Sequence, residues 1–180
     1  MSKISKKKRA VGLVIDASIA RSAGDAAATH PRASACRDAL LAVRANAIDV
    51  VLSEAVFLEW RKHQSRFARK WLVDMHARRR VVRVVTVEEL QLRKETSKLD
   101  SPKARAAVEK DWHLIETALL SDKRIISGDD AMLEYLSHLC PVVVALNDIH
   151  WVNPTSELCL AWIVGGLPTT PAFTLSAQAL

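Results

Sequence analysis

Short, uninterrupted apolar runs alternate along this chain with longer stripes of helical period. That alternation constrains the fold more than any other feature. Val11-Gly-Leu-Val-Ile15 is continuous and rich in β-branched residues, as a strand buried on both faces should be. Similar runs occupy residues 49–52, 81–85 (broken by Arg83), 124–127 and 141–146. Between them, apolar residues recur at the i, i+3, i+4 spacing of one helical face. Cys36, Ala39, Leu40, Val43 and Ala47 form one such stripe, and Leu114, Ile115, Ala118 and Leu119 another. A long helix is expected through Val56, Phe57, Trp60, Phe67, Trp71 and Leu72, and a further one through Ala131 to Leu139. Thr86-Val-Glu-Glu reads as a capping box opening a helix that runs to about Lys98, and Pro102 opens the next. The order β-α-α-β-α-β-α-α-β-α-β predicts one α/β domain, a central parallel sheet with helices on both faces and right-handed crossovers.

At 180 residues the chain suits one domain with a proper core. The expected divisions are a basic tail over residues 1–10, the core domain over 11–146, a helical appendix over 147–165 and a flexible or partner-bound tail over 166–180. Trp151 and Trp162 are expected to pack back on the core or to form an oligomer contact, which makes a homodimer a candidate assembly. The formal charge of +6 hides an asymmetry. All 26 Lys and Arg fall in residues 1–124 against 15 acids, a net of +11, whereas residues 125–180 carry five acids and no cation. A basic body of this kind points to a polyanionic partner through counterion release. The exposed face expected for the 56–72 helix adds Arg61, Lys62, Arg66, Arg69 and Lys70, and Arg78-Arg-Arg80 follows it. On that reading the helix has no aromatic on its basic side for base stacking.

Cys36, Cys140 and Cys159 are scattered and odd in number, without metal-ligand spacing. They fit small core residues of a reduced, cytoplasmic protein. No stretch of about 18 apolar residues is present to span a bilayer, so no membrane is expected. The six histidines show no HExxH spacing, and five glycines leave no phosphate loop. His63 stands four residues after Glu59, as in a helical ion pair, and His113 is expected to point away from Asp111.

The acids carry the chemistry. Asp16 follows the first strand, where Ser18 is placed to cap a helix. Asp111 lies near the start of a helical stripe, and Asp129 and Asp130 follow the strand at 124–127. Glu54 and Glu59 both sit near the second strand-to-helix junction, and the residues alone do not choose between them. In open α/β sheets ligands gather outside the carboxyl ends of the strands. Carboxylates brought together there raise one another's pKa unless a cation neutralises them. Oxygen ligands suit Mg²⁺ or Mn²⁺, which can serve phosphodiester hydrolysis. Ser127, two residues before Asp129, is placed to orient a carboxylate.

A strand ending in Asp-x-Ser, a Glu on the helix after the second strand, Asp111-x-x-Leu-Ile-x-x-Ala-Leu and Ile-Ile-Ser-x-Asp129 together resemble the PIN domain. The resemblance covers residues 11–146, and the step from Asp111 to Asp129 is its most specific part. It implies a metal-dependent endoribonuclease acting on RNA, with Asp16, Glu59, Asp111 and Asp129 as catalytic metal ligands for Mg²⁺ or Mn²⁺. Glu59 is preferred to Glu54 because the stretch resembles a Ser-x-x-x-x-x-Glu-Trp form of the motif. Ser18, Ser127 and Asp130 would support the ligands, and the basic residues from Arg61 to Lys70, with Arg78, Arg79 and Arg80, would guide the RNA backbone. Many members are toxins, which implies an antitoxin protein as partner. The competing class is a PIN-like module that binds RNA or protein without cutting.

Overall fold

In the computed structural model, residues 10–25 and 27–178 are described, so the basic tail expected over 1–10 lies almost entirely outside them. The sheet has five strands, β1 (Gly12–Ile15), β2 (Asp49–Leu52), β3 (Val81–Arg83), β4 (Arg124–Ile126) and β5 (His150–Val152), all parallel in the order β3-β2-β1-β4-β5. Leu13, Val14, Ile15, Val50, Leu52, Ile125 and Ile126 are buried, as uninterrupted apolar runs require.

The crossovers run outward in both directions from the centre. From β1 to β2 the chain passes through α1 (Ala17–Ser22) and α2 (Pro31–Ala45), and from β2 to β3 through α3 (Glu54–His63) and α4 (Arg66–Ala77). It then returns past β1 through α5 (Leu90–Thr96) and α6 (Pro102–Leu119) to β4, and through α7 (Asp130–Leu139) to β5. Because the direction of winding reverses between β1 and β4, a crevice opens at the carboxyl ends of those two strands. Helix α8 (Cys159–Val164) packs on α2. No helix among the described residues is long and apolar enough to cross a membrane.

Several local expectations are corrected. The run at 141–146 is not a strand. Pro141, Val142 and Val144 are exposed, and Val144–Leu146 forms a 3-10 turn. The fifth strand is His150–Val152, inside the stretch expected to be an appendix, where all three residues are buried against β4. The helix expected through 56–72 breaks at Gln64-Ser65. Ser65 turns extended, its side chain accepts from Ala68 N at 3.1 Å and its own N–H donates to Ala20 O at 2.9 Å. One apolar face persists across the break because both helices lie on the same core. Glu89, not Thr86, caps α5, accepting from Gln91 N. The tail expected to be loose folds back instead. Leu167 and Leu175 are fully buried, and Leu175 N donates to Ile149 O at 2.9 Å. His150 holds this return, its Nδ1 meeting Asp148 O and its Nε2 accepting from Thr170 N, each at 3.0 Å. Trp151 and Trp162 are buried within the single chain. The three cysteines are free and buried, and burial pushes their thiols up, to about 11 for Cys36 and Cys140 and about 12 for Cys159.

Candidate active site

Asp16 leaves β1 at the point of reversed winding, its N–H still bonded to Ile126 O of the neighbouring strand at 3.0 Å. It, rather than Ser18, caps α1. Oδ1 accepts from Ser18 N at 3.0 Å, and Oδ2 accepts from Ser18 Oγ at 2.6 Å. Ser127, buried at the end of β4, donates its hydroxyl to the same Oδ2 at 2.6 Å. That hydroxyl also accepts from Asp129 N at 3.2 Å, so one serine ties the two strand ends together. Asp129 caps α7, with Oδ1 accepting from Met132 N at 2.9 Å.

The other two acids arrive on helices. Ser53 caps α3 and fixes where it begins. Trp60 pins the helix from within, donating its indole N–H to Ile15 O at 2.8 Å, one residue before Asp16. The Trp71 ring lies tilted at 5.9 Å from that of Trp60 and donates to Leu40 O, so the Glu-Trp pair is a surface acid beside a core anchor. This settles where Glu59 points: it lines the cleft with Asp16, Asp111 and Asp129, whereas Glu54 is exposed in the first turn of α3. Asp111 comes from α6, held against α3 by the bond from Thr117 Oγ1 to Ser53 Oγ at 2.8 Å.

Arg21, His63 and Lys110 complete the lining. Sequence reasoning did not assign Arg21 or Lys110 to the site, although each is close in sequence to a predicted acid. His113, expected to point away from Asp111, does not line the cleft and meets Glu59 at 3.1 Å between Nε2 and Oε2, while His63, expected to pair with Glu59, lines the cleft. Two helices bring together what a single-helix spacing could not show. Asp130 does not line the cleft, and its carboxylate accepts from Asn153 Nδ2 at 2.8 Å.

Four carboxylates against Arg21 and Lys110 make the cleft anionic. Burial pushes the Asp111 carboxyl up to about 6, with Asp16 and Glu59 adding to the rise and Lys110 and His113 opposing it. Lys110 Nζ lies 4.0 Å from Asp111 Oδ1.

The expected RNA-guiding residues divide. Arg61, Lys62, Arg66, Arg69 and Lys70 are exposed on α3 and α4. Arg78, Arg79 and Arg80 precede β3 and so stand at the amino end of the sheet, opposite the cleft. There Arg78 pairs with Asp74 at 2.9 Å and Arg80 with Asp49 at 3.1 Å.

As donors, the carboxylates suit a hard divalent cation: all are oxygens, they carry excess negative charge, and burial, with the neighbouring acids, raises the carboxyl of one of them. As placed, they are engaged with protein partners, and among the described residues no group of three or more His, Cys, Asp or Glu is arranged to hold a metal ion. No family model, curated protein or solved structure matches the chain.

Proposed function

We propose that the protein is a Mg²⁺- or Mn²⁺-dependent endoribonuclease of the PIN type. The observation that carries this reading is that acids from four separate segments, Asp16, Glu59, Asp111 and Asp129, line one cleft at the reversal of the sheet. An anionic cleft repels phosphate, so an RNA-cutting site built this way needs a cation. The four carboxylates would hold it, and when bound it supplies charge neutralisation at the phosphodiester and activation of water. The remaining residues have roles of their own. Ser18 and Ser127 hold Asp16 in one orientation through two hydroxyl bonds. His113 restrains Glu59 from the neighbouring helix. Arg21 and Lys110 at the cleft offer charge to a scissile phosphate or its neighbour. The cellular version of this reading is the toxin of a toxin–antitoxin pair, with a small antitoxin protein as partner.

A second reading, a PIN-like module that binds RNA or protein without cutting, draws on one observation. Asp16, Glu59 and Asp129 are each already bonded within the protein, and no metal-ready cluster is present among the described residues. Cleavage of a mixed RNA pool separates the two. Wild-type protein should cut with Mn²⁺ and stop with EDTA, and an Asp16→Asn/Asp129→Asn variant prepared identically should be inert. Metal-loaded protein that binds RNA normally but leaves it whole would establish the second reading.

A further inference from the structure

Beside the acid cleft, at the far end of α1, lies a second cleft of about 500 Å³ that none of Asp16, Glu59, Asp111 and Asp129 lines. Its walls are the turn at Ala23, Gly24 and Asp25 and the start of α4, where the two cations of Arg66 and Lys70, beside Phe67, outnumber the one carboxylate. The two clefts share α1: Ala17, Ser18 and Arg21 line the first, and Ala23 follows at the second. Six residue steps lead from Ala17 to Ala23, a rise of about 9 Å along the helix.

The walls are held in place. Ser65 N is bonded to Ala20 O at 2.9 Å, which fastens α4 to α1. A Cβ at Gly24 would fall 2.3 Å from Ala28 Cβ, so the turn closes tightly only with glycine there. Phe67 is half-buried against the core, and its ring shares the cleft with the cations of Arg66 and Lys70. By period Phe67 belongs to the apolar side of the helix. The break at Gln64-Ser65 starts a new helix there, and Phe67 joins the basic residues in the cleft wall.

Resting on the endoribonuclease reading, we propose that this second cleft is a subsite for a nucleotide flanking the scissile bond: Phe67 stacks one unpaired base and Arg66 and Lys70 hold its phosphates. Sequence-tolerant single-strand binding combines a cationic track with aromatic faces, and this cleft supplies both. Arg21 lines the acid cleft on the same helix, two residues before Ala23 of the second cleft. Such a subsite takes an unpaired strand, since a base held in a duplex is not free to stack on a side chain.

The test is binding of a labelled single-stranded RNA 10-mer, in EDTA to prevent cutting, read by fluorescence anisotropy over a range of salt. Parallel probes are the same 10-mer made abasic and a duplex of equal length. Phe67→Leu should weaken binding of the intact strand about fivefold or more, the lower end of a stacked base's contribution, and leave the abasic strand unaffected. Arg66→Gln/Lys70→Gln, both exposed positions, should lower the salt slope by about 1.4, two single-strand phosphate contacts. Lys123→Gln, at the amino end of β4 and so at the opposite end of the sheet, should leave the response to all three probes unchanged. Unaltered binding of intact strand by both cleft variants would overturn the subsite, as would duplex bound as tightly as single strand. The nuclease reading would then still stand on metal- and acid-dependent cleavage. Wild-type protein that neither binds nor, with Mn²⁺, cuts single-stranded RNA would remove both.

Discussion

Asp111→Asn should make the metal-free protein more stable at neutral pH while removing its function. Burial and the neighbouring Asp16 and Glu59 raise the Asp111 carboxyl from 3.8 to about 6, so the folded state holds this proton more tightly than the unfolded chain does. The sign follows from linkage. Stability contributed by the protonated acid is complete below about pH 4 and is lost as pH rises through about 6. Full conversion of that difference corresponds to about 3 kcal/mol. With 20% of the side chain exposed, screening reduces it, and we expect about 1–3 kcal/mol. For a chain of this length that is a rise in Tm of about 2–10 °C. Asparagine keeps the shape and cannot ionise, so the two proteins should match near pH 4, diverge as pH rises to about 6 and keep a constant difference above it. Thermal unfolding in EDTA at a series of pH values reads this directly. Adding Mn²⁺ should then stabilise the wild type by mass action, about 2.7 kcal/mol at a hundredfold excess over Kd, and leave Asp111→Asn unmoved. If Asp111→Asn were less stable than wild type at pH 7.5, or differed from it equally at pH 4 and 8, burial of an ionised Asp111 beside Asp16 and Glu59 would not be the source of the strain.

Trp60→Phe removes the indole donor to Ile15 O, and the buried carbonyl left behind should cost about 1–3 kcal/mol in urea unfolding. Its Mn²⁺ affinity should fall too, because the same bond positions Glu59. His150 is held below its ordinary range chiefly by burial, so its contribution to stability is present above pH 6.5 and lost as pH falls through the depressed value. Unfolding between pH 7 and 5 in an Asp111→Asn background, which removes the opposing contribution, should show that decline, and His150→Phe should flatten it. Glu116→Gln should cost about 1–3 kcal/mol in the same urea assay, since the buried carboxylate accepts from Glu89 N and from Arg93 at 3.0 Å, tying α5 to α6. A silent substitution there would mean that Arg93, also paired to Glu88 and stacked on Trp112, holds α5 without it.

Residue types and their period alone determined that this chain builds a parallel sheet between helices. Four of the five strands, with Asp16 and Asp129 at their carboxyl ends, are legible because burial on both faces writes itself as an unbroken apolar run. The same signal misled at 141–146, where three valines in sequence carry strand propensity but no neighbouring strand receives them, and it passed over His150–Val152. Only the tertiary structure decided that three residues with a histidine at their head complete the sheet, because pairing with β4 is a contact between distant segments. The site divides in the same way. That acids collect at element ends could be read locally. That Glu59 rather than Glu54 enters the cleft follows from Trp60 bonding to Ile15, and that His113 rather than His63 meets Glu59 follows from α6 lying against α3. A local pattern records which side of an element is buried, whereas the identity of what lies across from it belongs to the packed fold.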